Sequence, residues 1–284
     1  MIAPNNLYLG DCLTLMDDLP AESIDLVLCD PPYGVLNKGN RAAQWDRCIN
    51  LDRLWQHYRR ILRPNGAVVL FAQGMFTATL MQSNPKWWRY NLVWDKQRST
   101  GFLNAHRMPL RCHEDICVFY RSQPTYNPQM VPCDDSQRSH SRGKATSVKN
   151  RCYGEFKLKE DSYGNFKFPK SILSFPKEHS KWTFFHPTQK PVELMRYLVR
   201  TYSNEGDTVL DNCMGSGSTL VAAAMELRRY IGMELREDYF EIAKTRIENI
   251  ETLKHHGRFY ATDDTSRALS GVVQTTTHSE SDVH

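Results

Sequence analysis

The sequence predicts an α/β fold built on a doubly wound, mostly parallel sheet. Three observations carry this expectation. Short apolar runs alternate with segments of helical period along most of the chain. Several of those runs stop at an acidic residue, as Ile24–Cys29 does at Asp30, Thr208–Leu210 at Asp211 and Tyr230–Met233 at Glu234. One run feeds a Gly-rich turn and an Ala-rich helix, the strand–turn–helix join of a Rossmann-like sheet.

The elements follow in order. Leu7–Leu9 reads as a short strand ending at Gly10-Asp11, and residues 13–19 as a brief helix. Ile24–Cys29 is a strand that Pro31-Pro32 must end, because neither proline continues a helix or donates to a ladder. Residues 34–48 are polar and read as a loop. Leu51–Leu62 has its apolar residues at helical spacing, and Pro64-Asn65-Gly66 reads as the turn after it. Ala67–Ala72 is a buried strand and residues 75–82 a helix. Tyr90–Trp94 and Ile116–Tyr120 are strands separated by a loop rich in Arg and His. Residues 121–185 lose all period, and an irregular stretch of that length is usually functional or mobile. Val192–Tyr202 then places Leu194, Leu198, Val199 and Tyr202 on one helical face, with Pro191 suited to its first turn. Thr208–Leu210 is a strand, Ser218–Leu227 a helix, Tyr230–Met233 a strand and residues 237–254 an amphipathic helix. The organisation expected is 1–120, 121–185 as an insertion, 186–257, and a disordered polar tail over 258–284.

Composition narrows the function. A chain of 284 residues that is 40% hydrophobic can bury one large core. No run approaches the roughly 18 consecutive apolar residues of a membrane span, and the start lacks a signal peptide's basic and apolar regions. No membrane partner and a cytoplasmic setting, in a bacterium or a phage-infected cell, are therefore expected. The 8 cysteines form no C-x-x-C pair and read as reduced thiols. Cys112, His113, Cys117 and Cys133 fit no standard zinc spacing, so no metal is expected. Charge is uneven: residues 121–185 hold 12 Lys/Arg against 6 Asp/Glu, whereas the rest of the chain is slightly acidic. A basic segment on an acidic scaffold suits a polyanion; a solvated loop is the plain alternative.

The segment Thr208–Glu234 reads strand, Gly-rich turn, helix, strand, acid. Gly215 and Gly217 allow a sharp turn and close approach to a ligand, and the amides of Ser218 and Thr219 open the helix, suited to a carboxylate or phosphate. Glu234 is placed to accept from ribose hydroxyls, as in dinucleotide sites. The turn lacks both the third glycine of the dinucleotide fingerprint and the Gly-Lys-Ser/Thr of a phosphate loop.

Asp211-Asn212-Cys213-Met214-Gly215-Ser216-Gly217-Ser218-Thr219 resembles the Asp-x-Phe-x-Gly-x-Gly-x-Thr motif of S-adenosylmethionine-dependent DNA amino-methyltransferases. Asp30-Pro31-Pro32-Tyr33 matches their catalytic motif, and His186-Pro187-Thr188-Gln189-Lys190-Pro191 the element before the glycines in the permuted beta order. In that order the catalytic half comes first, then target recognition, then the cofactor half. The resemblance covers about residues 5–250.

The resemblance implies S-adenosyl-L-methionine as cofactor, held at its methionyl end by Asp211 and the turn Gly215, Ser216, Gly217, Ser218 and Thr219. Glu234 would hold the ribose, Asp11 would lie near the adenine, and Lys190 would close over the methionyl carboxylate. Cys29, Asp30 and Cys213 complete the expected cofactor set. Cys213 departs from the family by standing where Phe is usual, which puts an aromatic contact there in doubt.

The tetrapeptide supports this chemistry in its own right. The exocyclic amino nitrogen of a base is a poor nucleophile, because its lone pair is conjugated into the ring. Two acceptors aimed at its hydrogens favour the pyramidal, reactive form. Asp30 offers a carboxylate and Pro31 a carbonyl, Pro32 helps fix their direction, and Tyr33 offers a face for stacking a flipped base. The Pro-Cys pair that carbon methylation needs occurs only as Pro132-Cys133, in the irregular segment.

Arg107 and Arg111, beside His113 and Glu114, lie in a region that in this family approaches the target base; with Arg138, Arg142 and Lys144 of the basic segment they are the expected contacts to double-stranded DNA. Adenine-N6 methylation is the reading preferred, with cytosine-N4 methylation and a silent nucleic-acid-binding protein as rivals. Asp at position 30 and the permuted order argue against RNA or protein-glutamine methylation. A homodimer and a cognate restriction endonuclease are the further partners the resemblance brings.

Overall fold

A computed structural model describes residues 2–35, 46–133, 147–150, 154–157, 166–177 and 189–255. The chain forms two compact units, Met1–Asn127 with the chain from Ser171 onward, and Pro128–Lys170.

The larger unit is built on an eight-stranded sheet. Its strands are β1 (Asn6–Leu9), β2 (Ile24–Cys29), β3 (Leu62–Ala72), β4 (Trp88–Thr100), β5 (Arg111–Phe119), β10 (Ile172–Ser174), β11 (Thr208–Asp211) and β12 (Arg229–Glu234). Their spatial order is β1-β12-β11-β2-β3-β5-β4-β10. Every pairing is parallel except those of β5, which is antiparallel to β3 and β4.

Strand alternation splits the core into two layers. Leu26, Leu28, Ala67, Val69, Phe71, Trp94, Ile116 and Val118 face the helices α4 (Val192–Tyr202), α5 (Ser218–Met225) and α6 (Glu237–His255). Val27, Cys29, Val68 and Leu70 face α1 (Cys12–Leu15), α2 (Leu51–Ile61) and α3 (Met75–Ser83). The sheet is therefore doubly wound. Helix α2 shows how its sequence earns this place. Asn50 caps it by accepting from the Arg53 amide at 3.0 Å. Leu54, Trp55, Tyr58 and Ile61 are fully buried on one stripe, each contributing on the order of 2 kcal/mol.

Three features differ from the sequence reading. Pro64-Asn65-Gly66 is not a turn between elements: β3 runs through it as a bulge, its register on β2 jumping from Ile24↔Leu62 to Leu26↔Ala67. Gly66 permits this, since a Cβ there would lie 2.8 Å from the Asp25 carbonyl oxygen. Strands β4 and β5 extend well past their apolar stretches, because their outer halves pair as an exposed polar hairpin that hydropathy does not register. Ile172–Ser174, inside the segment read as irregular, is an edge strand of the large sheet, so the second compact unit is narrower than 121–185.

In that second unit β6 (Val131–Pro132) pairs antiparallel with β9 (Phe166–Lys167), and β7 (Ser147–Asn150) with β8 (Gly154–Lys157). The 258–284 tail lies outside the described residues. Among the described residues no helix is long and apolar enough to cross a membrane.

Candidate active site

Four neighbouring strands, in the order β1-β12-β11-β2, end at or just before Asp11, Glu234, Asp211 and Asp30. Parallel pairing brings these acids to one edge, where doubly wound sheets bind ligands. A cavity of about 690 Å³ opens there, within the larger unit.

On the β11–β12 side the glycine turn forms the wall. Gly215 and Gly217 have left-handed φ values of 50° and 78°. They differ in surroundings. A Cβ on Gly217 would come within 3.0 Å of the Ala243 Cβ, so this glycine lets α6 pack close. No atom lies within 4 Å of a Cβ built on Gly215, which borders the cavity. Glu234 braces the turn, Oε2 accepting from the Gly215 amide and Oε1 from the Arg236 amide, both at 2.9 Å. Burial raises the Glu234 carboxyl above the ordinary range. It also pushes Asp211 up to about 7, although Asp211 Oδ1 accepts from the Cys213 amide at 3.1 Å. Beside Asp211 the Thr219 hydroxyl is buried without an aligned hydrogen bond.

Behind this wall Asn212 organises two thiols. Its Oδ1 accepts from the Tyr58 hydroxyl at 2.6 Å, while its Nδ2 lies 3.7 Å from Cys12 Sγ and 3.6 Å from Cys213 Sγ. Burial pushes the neighbouring Cys29 thiol up to about 12, so it stays neutral.

On the other side, alternation carries a row of charges onto the sheet's core face. Asp30 continues the row Leu26-Leu28, Glu114 the row Val118-Ile116, and Lys96 the row Leu92-Trp94. Lys190, just before α4, comes down between them, its ammonium 4.9 Å above the Phe71 ring. It donates to Asp30 Oδ2 and lies 3.2 Å from Glu114 Oε2 as an ion pair without hydrogen-bond alignment. Lys96 Nζ holds Glu114 Oε1 at 3.0 Å. Tyr33 donates its hydroxyl to Asp30 Oδ1 at 2.6 Å.

Burial raises the Asp30 carboxyl against the opposing pull of Lys190. Burial also acts to raise Glu114, but Lys190 and Lys96 outweigh it and hold that carboxyl low. Burial acts to lower Lys190, and its two carboxylates override it, so the ammonium keeps its proton. Tyr33 stacks one face on Phe76, with centroids 5.0 Å apart, so at most its other face is open to a partner.

Asp11, Asp30, Pro32, Lys190, Asp211, Cys213, Gly215, Ser216, Ser218, Thr219 and Glu234 all border the one cavity. Cys29 lies buried beneath it, and Gly217 serves packing. Asp11 also caps α1, accepting from the Thr14 amide at 3.1 Å. Arg107 and Arg111 are exposed on the β4–β5 connection, where Arg111 donates to Gln73 at 3.2 Å. Arg138, Arg142, Lys144 and His186–Thr188 lie outside the described residues. Sequence reasoning missed Lys96 and Arg246. Lys96 had a signal: it falls two residues after Trp94, at a core-facing position of a strand. Arg246, on the exposed-reading face of α6, donates to the Ser216 carbonyl at 2.5 Å, and no local pattern marks it.

A family model described as DNA methylase matches residues 24–245. The chain is similar to the Type II methyltransferase M.HinfI of Haemophilus influenzae, 26% identical over 274 residues, covering 87% of this chain and 69% of that protein. It is similar to the DNA adenine methyltransferase YhdJ of Escherichia coli strain K12, 25% identical over 253 residues, covering 84% and 81%. Among solved structures it resembles the cytosine-N4-specific PvuII DNA methyltransferase, with a TM-score of 0.61 at 16% identity over 95% of this chain and 94% of that one. It also resembles a DNA modification methylase of Thermus thermophilus, TTHA0409, complexed with S-adenosyl-L-methionine, with a TM-score of 0.57 at 24% identity over 86% and 93%. These last two likenesses establish the fold, while the family match spans both the Asp30 and the Asp211 sides of the cavity. The chain belongs to the DNA methylase family of S-adenosylmethionine-dependent amino-methyltransferases.

Proposed function

We propose that this amino-methyltransferase is adenine-N6-specific and acts on a base flipped out of duplex DNA. The observation that carries the reading is Asp30, a carboxylate fixed by Tyr33 and Lys190 at the mouth of the cavity. S-adenosylmethionine supplies an electrophilic methyl group on a sulfonium. The residues present fit that cofactor: Gly215 leaves room for close approach, the Thr219 hydroxyl has an unused hydrogen-bonding capacity, and Asp211 and Glu234 offer acceptors to hydroxyl and ammonium groups. Asp11, Ser216, Ser218 and Cys213 border the same space.

Asp30 accepts a hydrogen bond from the amino group and so directs its lone pair toward the methyl. The nitrogen gains a methyl and must lose one proton, and Asp30, with its raised carboxyl, is placed to receive it. Pro31 and Pro32 fix the chain that carries this acid. The free face of Tyr33 is available to a base. The connection from Gln97 to His113 carries Arg98, Arg107 and Arg111 with no acid, and Phe102 and Leu103 stand exposed on it, a surface suited to a polyanion bearing apolar bases. Arg138, Arg142 and Lys144 add to that charge in the sequence.

Asp rather than Ser at position 30, and the name of the YhdJ relative, favour adenine. The likeness to the PvuII enzyme keeps cytosine-N4 as the second reading. Nucleoside mass spectrometry of DNA incubated with the protein and cofactor decides. N6-methyladenine is expected, and N4-methylcytosine as the sole product overturns the base assignment. Asp30→Ala should abolish transfer, by a factor of about 10² or more, and leave cofactor binding intact.

A further inference from the structure

Lys96, Glu114, Lys190 and Asp30 form an alternating row of positive and negative groups, and Lys96 and Lys190 are only 4% and 5% exposed. Burying such a row adds little to stability, because the desolvation of each charge offsets the attraction it gains. A fold that keeps four charges here is better explained by what they hold in place. The motif reading sets Lys190 over the cofactor's carboxylate. The geometry sets it elsewhere: its ammonium sits between two carboxylates, above the Phe71 ring.

We propose that Glu114, braced by Lys96, is a positioning residue for methyl transfer: it anchors Lys190 so that the ammonium serves Asp30 rather than the cofactor. The inference rests on the proposed transfer to a base amino group. Glu114 reaches this place because β5 runs antiparallel between β3 and β4, so that Glu114 pairs with Trp94 and faces the same side as Asp30 and Phe71. Lys190 then ties up Asp30 Oδ2 and Tyr33 approaches Oδ1, which fixes the carboxylate plane. Without Glu114 the long lysine side chain has one anchor instead of two, and the carboxylate regains rotational freedom.

The charges facing Asp30 make the idea testable by pH. They are Tyr33 beside it, Lys190 before α4, Glu114 on β5, Lys96 on β4, Lys177 after β10, and Asp211 on β11. Transfer needs Asp30 ionised, so the rate falls as pH drops through its titration. Removing the negative Glu114 eases that ionisation and moves the acid limb to lower pH. Removing the positive Lys190 hinders it and moves the limb to higher pH.

The experiment measures single-turnover methyl transfer against pH, with the full chain, saturating cofactor and genomic DNA lacking the modification. Calorimetry gives cofactor affinity for the same proteins. For Glu114→Gln the rate should drop about tenfold or more, with cofactor affinity held within about twofold and the acid limb moved down. Lys190→Met should move the limb up, and Glu114→Asp should recover part of the rate. If Glu114→Gln fails to fold, the charge-balanced pair Lys96→Gln/Glu114→Gln is read in its place. Cofactor affinity falling in step with the rate would return Lys190 to the cofactor and overturn the proposal, as would an unmoved acid limb. A wild type that methylates no DNA overturns the proposed function together with this inference. An active wild type with indifferent variants overturns only the placement of Glu114.

Discussion

Tyr33 donates to Asp30 Oδ1 at 2.6 Å while Lys190 occupies Oδ2, so the carboxylate is gripped from both ends by groups far apart in sequence. The phenol lowers the cost of ionising Asp30 in its buried place. Tyr33→Phe keeps the ring and its stack on Phe76 but removes that donor. We expect the acid limb of the transfer rate to move to higher pH and the rate at neutral pH to fall by about tenfold. Cofactor affinity should not change. Single-turnover rates across pH test this, and an unmoved limb would show that the bond plays no part.

The two turn glycines should separate stability from binding. Gly217→Ala places a Cβ 3.0 Å from Ala243 at a φ of 78°, and should cost about 1–3 kcal/mol in thermal or denaturant unfolding. Gly215→Val directs its bulk into open space, so most of its effect should appear as lost cofactor affinity, measured by calorimetry. Equal affinity for Gly215→Val and wild type would place the cofactor elsewhere.

Asp211 titrates at about 7 because burial opposes its charge. Its folded value lies above its unfolded one, near 4, so the fold is favoured with the proton on. Stability of the ligand-free protein should therefore decline from about pH 4 to about pH 7 and level off above. Asp211→Asn should raise the melting temperature at pH 8 and weaken cofactor binding, a trade expected where function keeps a buried charge. Differential scanning fluorimetry with and without cofactor reads both effects. A lower melting temperature for the ligand-free variant would contradict the account.

Arg107→Ala and Arg111→Ala should each reduce the salt dependence of DNA binding by about one unit in the log–log slope, with little effect on cofactor affinity. Titration of fluorescent duplex DNA over a range of salt concentrations tests this. An unchanged slope for both would remove the β4–β5 connection from the DNA surface.

What was legible in the sequence was whatever leaves a local mark. The strands before Asp30, Asp211 and Glu234 announce themselves by short apolar runs, and the glycine turn by composition, so one edge of the sheet could be located residue by residue. Three things left no such mark. The bulge at Gly66 depends on how closely β2 lies against β3, a distance no single segment encodes. Strand β10 is too short to show a period and pairs only because β4 offers an edge. The Lys190–Glu114 contact joins residues brought together by the antiparallel turn of β5, and neither neighbourhood mentions the other.

The permuted sheet also sets a timetable for synthesis. Strand β1 bonds alongside β12, as in the contact from the Asn5 amide to the Tyr230 carbonyl, across nearly the whole ordered chain. Strand β2 likewise awaits β11 on one side. At roughly 5–20 residues per second, a ribosome exposes β1 for about 11 to 45 seconds before β12 is made. Throughout that interval the nascent chain carries apolar strands with unpaired edges, the species most open to aggregation and to chaperone capture. Closure of the sheet is therefore a late event, gated by translation of the final quarter of the gene rather than by collapse of the first half.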